Sequence, residues 1–434
     1  MKPNSKLEVQ AFMRQAFQNK TRIYPISTGK NWGNGSRTPW TEGCVPLDLS
    51  QLNQISDFNE ELAYVTLGPG VSQLQLFEFL KQQNSQLMPN FTGSSKHASV
   101  IANALERGDG FGSYGEHANY ICHLEIILPN GDLIHTGFKP QTQCAKLYRP
   151  GLGPSLDGLF FQSNLGVITE ATLWLEPKPN YFHQIIFEAN SRLELGAYIN
   201  AASQLQLRNL TPYVAIWNRE KIRSKFRNPD LECADWIGSI NLFAFEPEQA
   251  SSQITLAKRL FPKAQIVQAD LLLEEKENLS LAYWKKPGPL PENPDPDRDL
   301  CGLLWLMCLL PYRGTDLDIT LPIIESTCTQ YQFEANLALV GKEPRTLKLL
   351  LALIYDREQA GLDEKAQACH DQILKKLISL GYPPYRLGLQ SAWASPKNTL
   401  YEQIKNLLDP DQLLSPGHYS PLPSRLSSRS NSSL

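Results

Sequence analysis

The sequence predicts an α+β protein of two domains, and three observations predict it. A glycine-rich run, Thr28-Gly29-Lys30-Asn31-Trp32-Gly33-Asn34-Gly35, lies between two short strand-like segments and is followed by no long helix pattern. Strand and turn signals then dominate as far as Pro177, with one or two helices among them. After Pro179 the composition changes, and strands and helices alternate on their own up to about Pro383.

Each element has a local reason. Residues 1–20 read as an amphipathic helix with Val9, Phe12, Met13 and Ala16 on one side. Residues 22–26 and 45–49 read as the strands flanking the glycine run. Gly68-Pro69-Gly70 breaks the chain after a strand over 64–67, and 71–83 follows as a helix with Leu74, Phe77, Phe79 and Leu80 as its apolar residues. Residues 123–128 and 133–136 read as strands joined by the turn Pro129-Asn130-Gly131-Asp132, and 166–175 as another strand closed by prolines. In the second domain strands are expected over 213–217, 302–310, 333–340 and 349–355. A proline-rich connector is expected over 287–296, and an amphipathic helix over 363–380. Residues 424–434, rich in Ser and Arg, read as a disordered tail.

Composition excludes several function classes. At 434 residues the chain can build well-formed cores, and 42% hydrophobic with 20% charged residues suits a globular protein. A net charge of −3 without a dominant basic patch argues against nucleic acid. The eight cysteines form no CxxC pair and the seven histidines no HxxxH or HExxH spacing, so neither a disulfide framework nor a metal site is predicted. Residues 1–18 lack an apolar core of signal-peptide length, and the longest apolar run, 302–310, is too short to cross a bilayer. A cytoplasmic protein with no membrane contact is expected.

The glycine run carries the chemistry. Three glycines in eight residues let successive N–H groups line one concave side, and such a nest binds phosphate. Two familiar phosphate loops do not fit. Thr38 stands where a dinucleotide fingerprint needs its third glycine, and Lys30 is followed by Asn31 rather than Ser or Thr.

Taken in order, several such stretches resemble the FAD-binding domain of the vanillyl-alcohol oxidase and p-cresol methylhydroxylase family. They are Pro25-Ile26-Ser27 through Gly35, Gly68-Pro69-Gly70-Val71, Asn103-Ala104-Leu105-Glu106-Arg107-Gly108 and Tyr114-Gly115-Glu116-His117. Leu128-Pro129-Asn130-Gly131-Asp132, Thr136-Gly137 and Gly151-Leu152-Gly153-Pro154 continue the series, which closes on Gln162-Ser163-Asn164-Leu165-Gly166-Val167-Ile168-Thr169. Gly381-Tyr382-Pro383-Pro384-Tyr385-Arg386 and residues 407–416 add the family's closing segment. The resemblance implies a PCMH-type FAD-binding domain of two α+β subdomains over 1–179 and an inserted α+β cap, or substrate, domain over 180–380. A segment over 381–423 would return to the first domain.

The same resemblance assigns residues. Thr28, Gly29, Lys30, Asn31, Trp32, Gly33, Asn34 and Gly35 would cradle the pyrophosphate of FAD. Asn103, Glu106, Gly108, Gly110 and Gly115 would line the flavin and ribityl chain, with Pro69 and Ser95 also on the cofactor side. Gly166, Val167 and Ile168 would run against the adenine half. Arg386 would be the fixed cation that favours electron density at flavin N1 and the C2 carbonyl, and Tyr385 the adjacent hydroxyl facing substrate. Glu116 and His117 match a pair beside the flavin and read as a self-satisfying structural pair, with His97 held in reserve. Leu303, Leu304, Trp305, Leu306 and Met307 fall on a cap strand whose alternate residues would face the ring, and Tyr283 and Trp284 would add aromatic walls.

Three departures qualify the assignment. Asn34 stands where phenol-oxidising members carry tyrosine. Ser95 stands where the oxidase has its acid near flavin N5. Leu347 and Lys348 stand where a histidine tethers FAD, so a dissociable FAD is expected. The implied activity is hydride removal from a small apolar or aromatic alcohol, amine or alkyl group to flavin N5. The partners are a small-molecule substrate and an electron acceptor drawn from oxygen, a cytochrome or a quinone, and enzymes of this kind are commonly homo-oligomers. Two other readings stay open: an NADPH-dependent reductase of the same fold, and a flavin- or partner-binding protein without turnover.

Overall fold

Residues 1–269 and 276–420 are described in a computed structural model of the chain. Ser5 caps a helix over Lys6–Gln18, its side chain accepting from the Glu8 amide. The buried face of that helix, Val9, Met13 and Ala16, packs on Ile23, Leu47 and Val167. Strands Ile23–Ile26 and Val45–Asp48 pair in parallel, with the glycine run looping between them.

A five-stranded antiparallel sheet follows, in the order Ile55–Asn59, Tyr64–Leu67, Val167–Trp174, Ile121–Ile127, Leu133–His135. Ile121–Ile127 is buried along its whole length, as a strand covered on both faces should be. Helix Gln73–Gln82 begins on a reciprocal cap between Ser72 and Gln75. Its Leu76 and Leu80 join Ile101 and Ala104 of helix Val100–Leu105 against the sheet.

The second sheet has seven antiparallel strands, in the order Gln265–Gln268, Tyr181–Ala189, Trp236–Ala244, Tyr213–Asn218, Asn336–Glu343, Thr346–Asp356, Cys301–Pro311. Side chains alternate between its faces. Ile185, Phe187, Ile240, Leu242, Val214, Ile216, Leu337, Leu339, Leu349 and Leu351 form one core with helices Arg192–Leu207, Thr315–Gln330 and Leu362–Ser379. The opposite face turns toward the glycine run.

The chain then crosses back. The Leu309 amide donates to Pro383 and the Tyr385 amide to Met307, so 383–385 extends the edge of the seven-stranded sheet. Leu389 next donates to Asn34, and further on Ile23 bonds Leu413 and Ser415 bonds Ile23. The closing segment thus bonds to both halves of the chain.

Several expectations shift. The strand expected over 333–340 starts at Asn336, after a turn that leaves Phe333 packed beside the core. Strands Tyr181–Ala189 and Trp236–Ala244 and helices Arg192–Leu207, Pro247–Leu260 and Thr315–Gln330 were not among the expected elements. The tail over 424–434 lies outside the described residues. All eight cysteines are unbridged. Among the described residues no helix is long and apolar enough to cross a membrane.

Candidate active site

A cavity of about 640 Å³ opens between the glycine run and the inner face of the seven-stranded sheet. That volume suits a cofactor with a small ligand beside it. Of the residues assigned from sequence, Thr28, Gly29, Lys30, Asn31, Trp32, Asn34, Asn103, Glu106, Gly108, Gly110, Tyr385 and Arg386 border it.

The glycine run has the geometry of an anion nest. Gly29, Gly33 and Gly35 take φ values of +66°, +77° and +106°. Among the described residues, no acceptor takes the amide hydrogens of Gly29, Lys30, Asn31, Trp32, Gly33 or Gly35. The buried Trp32 Nε1, Asn34 Oδ1 and Arg386 Nε also have no hydrogen-bond partner. Unmet polar groups gathered on one cavity wall fit a polar, anionic cofactor such as FAD.

Gly33 has a second role. A Cβ there would lie 2.4 Å from Trp305 Cδ1. Its carbonyl accepts from the Trp305 amide at 3.1 Å and from Gln390 Nε2 at 2.9 Å, and Gln390 also donates to the Trp305 carbonyl at 2.8 Å. The loop is therefore seated directly on the cap strand.

Arg386 donates from Nη2 to Asn31 Oδ1, and its Nε lies 4.0 Å from Glu106 Oε2. Glu106 also accepts from the Tyr419 hydroxyl at 3.1 Å and sits 3.2 Å from His418 Nε2. Burial opposes its charge, but His418, Arg386 and Tyr419 outweigh burial and hold the carboxyl below its ordinary value. Tyr385 places its hydroxyl 3.6 Å from Met307 Sδ, and burial pushes its pKa up.

Other assigned residues lie elsewhere. Val167 packs into the core behind the first helix and Ile168 into the core of the five-stranded sheet, and a Cβ on Gly166 would strike Ile126 at 2.4 Å. This strand sits centrally in its sheet with both faces covered, so these residues do not border the cavity. Ser95 is buried, its hydroxyl accepting from the His97 amide, while the neighbouring Gly93 and Ser94 line the wall instead. The Pro69 carbonyl accepts from Ser99, and the space beside Gly115 is filled by Lys342. Gly35 packs against Leu389, and His97 is exposed away from the cavity. Glu116 and His117 do not satisfy each other. His117 Nδ1 lies 2.8 Å from Asn103 Oδ1, whereas Glu116 pairs with Lys348.

The cap wall obeys strand alternation. Leu303, Trp305 and Met307 face the cavity, while Leu304 and Leu306 turn to the helix-covered core. Tyr283 and Trp284 pack behind the wall, Tyr283 bonding Asp299. The sequence reading missed much of the ceiling. One cross-strand row runs Ile186, Ser239, Ala215, Val340, Lys348, and another runs Trp217, Ala338, Leu350, Met307. Gln184 and Asn241, bonded at 3.0 Å, and the buried Lys221 also border the cavity. The wall is therefore mixed in polarity, and alternation within 213–217 was the signal that could have shown part of it.

Asp109 borders the cavity too, and Lys348 Nζ lies 3.0 Å from its Oδ2. The same ammonium bonds Glu116 and stands 4.9 Å from the centre of the Tyr385 ring. Burial opposes ionisation of Asp109, but Lys348 outweighs it and holds the carboxyl below its ordinary value. Burial and the nearby Asp109 push Glu116 the other way. Lys348 stands where a tethering histidine was looked for, and it is engaged in this pairing.

Residues 1–137 match the FAD binding domain family. The chain is 35% identical to the 1'-carboxy-chondrochloren decarboxylase of Chondromyces crocatus, over 96% of this chain and 89% of that protein. The chain belongs to the vanillyl-alcohol oxidase and p-cresol methylhydroxylase family of FAD-linked oxidoreductases. It is 26% identical to the 4-cresol dehydrogenase [hydroxylating] flavoprotein subunit of Pseudomonas putida, over 94% of this chain and 85% of that one. The crystal structure of p-cresol methylhydroxylase with substrate bound has the same fold. It superposes with a TM-score of 0.87 at 24% identity, covering 96% of this chain and 88% of the other. This is an FAD-binding enzyme of the PCMH-type fold.

Proposed function

We propose that this enzyme removes a hydride from a small, largely apolar substrate, a benzylic or allylic alcohol, amine or alkyl group, held under the cap sheet. The observation that carries this is the meeting, on one cavity, of the open amides of the glycine run, the Arg386 guanidinium and the Tyr385 hydroxyl. Bound FAD would supply the two-electron acceptor. The glycine run and Asn103 would hold the cofactor. Arg386 would offer its permanent charge, and Tyr385 would orient a substrate oxygen. Leu303, Trp305, Met307, Val340 and Leu350 would exclude water from the reacting carbon. On this reading 1–179 and the closing segment form the cofactor domain, 180–380 the substrate domain, and the protein works in the cytoplasm.

A second reading couples oxidation to loss of a carboxylate. It rests on the relative named as a decarboxylase and on Lys221 and Lys225, which border the cavity. One experiment addresses both. Purified enzyme is mixed anaerobically with benzylic and allylic alcohols and with their carboxylated counterparts, and flavin bleaching and carbon dioxide are followed. Bleaching by the alcohols supports the first reading, and carbon dioxide released in step with bleaching supports the second. Bleaching by NADPH alone would reject both in favour of a reductase. Acid precipitation that leaves the yellow colour in solution would support a dissociable FAD.

A further inference from the structure

Removing a hydride from an alcohol leaves a hydroxyl proton that must also depart, and a water-excluded cavity needs a base to take it. We propose that Asp109 is that base and that Lys348 is the residue that positions it. The inference rests on the alcohol-oxidising reading above and deepens it.

Two carboxylates among the described residues border the cavity, Glu106 and Asp109. Glu106 is committed on both oxygens. Tyr419 donates to Oε2 with Arg386 alongside it, and His418 lies against Oε1. It serves as a fixed counter-charge. Asp109 is held through Oδ2 by Lys348. The lysine comes from the cap strand Thr346–Asp356 and is itself buried, so the pair spans the seam between the two halves. Because Lys348 also underlies the Tyr385 ring, one ammonium fixes both a hydroxyl-bearing ring and a carboxylate at the same wall.

Around Asp109 the lysines favour its charge, and the neighbouring carboxyl of Glu116 opposes it. Lys348 and Lys342 face it from the cap sheet, His117 and Glu116 from the short helical turn beyond its own loop, and Tyr385 from the closing segment. His117 is kept neutral by burial and Tyr385 protonated by burial, so the two lysines dominate. Asp109 therefore meets substrate as a carboxylate. The step balances: the substrate C–H bond breaks and both its electrons pass to the flavin with the hydride. The O–H bond breaks, its electron pair completes the C=O bond, and its proton passes to Asp109.

The test uses full-length, FAD-loaded wild type, Asp109→Asn, Asp109→Glu and Lys348→Met. Anaerobic flavin reduction by the alcohol panel is timed across about pH 5 to about pH 9. Asp109→Asn should reduce at least ~100-fold more slowly at saturating alcohol at every pH in that range, and Asp109→Glu should recover much of the rate. Without any turnover, the infrared difference between wild type and Asp109→Asn should show an ionised carboxylate at neutral pH. In Lys348→Met that signal should move toward the protonated form. Equal rates in wild type and Asp109→Asn, a protonated carboxyl in wild type, or loss of FAD from Asp109→Asn would each overturn the assignment. A wild type that no alcohol reduces overturns the function reading and the acceptor role with it. A reducible wild type beside an equally fast Asp109→Asn overturns the acceptor role alone.

Discussion

The Arg386 guanidinium donates to the Asn31 amide oxygen at 2.8 Å, linking residues 355 positions apart on the cavity wall. A positive charge near the end of the chain is thereby set against the loop near its start. Replacing Arg386 by Met should slow anaerobic flavin reduction by roughly 100-fold or more, the usual cost of losing a preorganised charge. Arg386→Lys should fall between, because an ammonium supplies charge without the planar fork. Stopped-flow bleaching is the measurement, and unchanged kinetics would remove Arg386 from its role.

Gly33→Ala should strip the enzyme of cofactor. The added methyl would sit 2.4 Å from Trp305 at a backbone φ of +77°, so either the loop or the cap strand must move. The ratio of flavin to protein absorbance after purification should drop several-fold. Gly158→Ala, with nothing within 4 Å, is the control and should change stability by no more than about 0.5 kcal/mol.

His117 gives the fold an acid weakness. Burial lowers its pKa from 6.5 to about 4. Between those values the unfolded chain binds a proton that the folded chain refuses. Stability from this group is therefore complete above pH 6.5 and is lost as pH falls toward 4, by about 3 kcal/mol. Urea midpoints at about pH 7 and about pH 4.5 should fall less far apart in His117→Gln than in wild type. An equal drop in both proteins would place the acid sensitivity elsewhere.

Lys405 is 1% exposed and donates to Asn164 O, Asp409 Oδ2 and Leu414 O at 2.7, 2.6 and 3.0 Å. It clamps the closing segment onto the five-stranded sheet. Lys405→Met strands the buried Asp409 charge and should cost about 3–5 kcal/mol in urea unfolding. Adding Asp409→Asn should restore part of that loss, because the uncompensated charge is gone.

Local signals were legible in the sequence where they were self-contained. The Gly68-Pro69-Gly70 break between a strand and a helix and the glycine run each fix a turn from a few adjacent residues, and both appear where their chemistry put them. The unexpected strand Trp236–Ala244 is different: it opens on the adjacent apolar Trp236 and Ile237, closes on the adjacent apolar Leu242, Phe243 and Ala244, and alternates in polarity only over Ser239–Leu242. Its Ser239 and Asn241 face a cavity, not solvent, so the polar signal that normally marks an outer face was misleading. Gly166-Val167-Ile168 is a different case. The motif stands in the expected order, but its residues pack into two cores and do not border the cavity. Lys348 was noticed only for not being histidine. Its pairing with Asp109, 239 residues away in sequence, depends on how the cap settles on the cofactor loop, and no local pattern reports that.

Gly33, Trp305 and Gln390 share a compact knot of hydrogen bonds at one edge of the cap sheet. Ile186, Ser239 and Asn241 lie on strands several places away in that sheet. Substitutions in the distant rows can therefore diversify what a lineage of such enzymes accepts while its hold on the prosthetic group stays intact. A change at Trp305 would disturb the ceiling and the glycine loop together, so at that edge the two properties are tied.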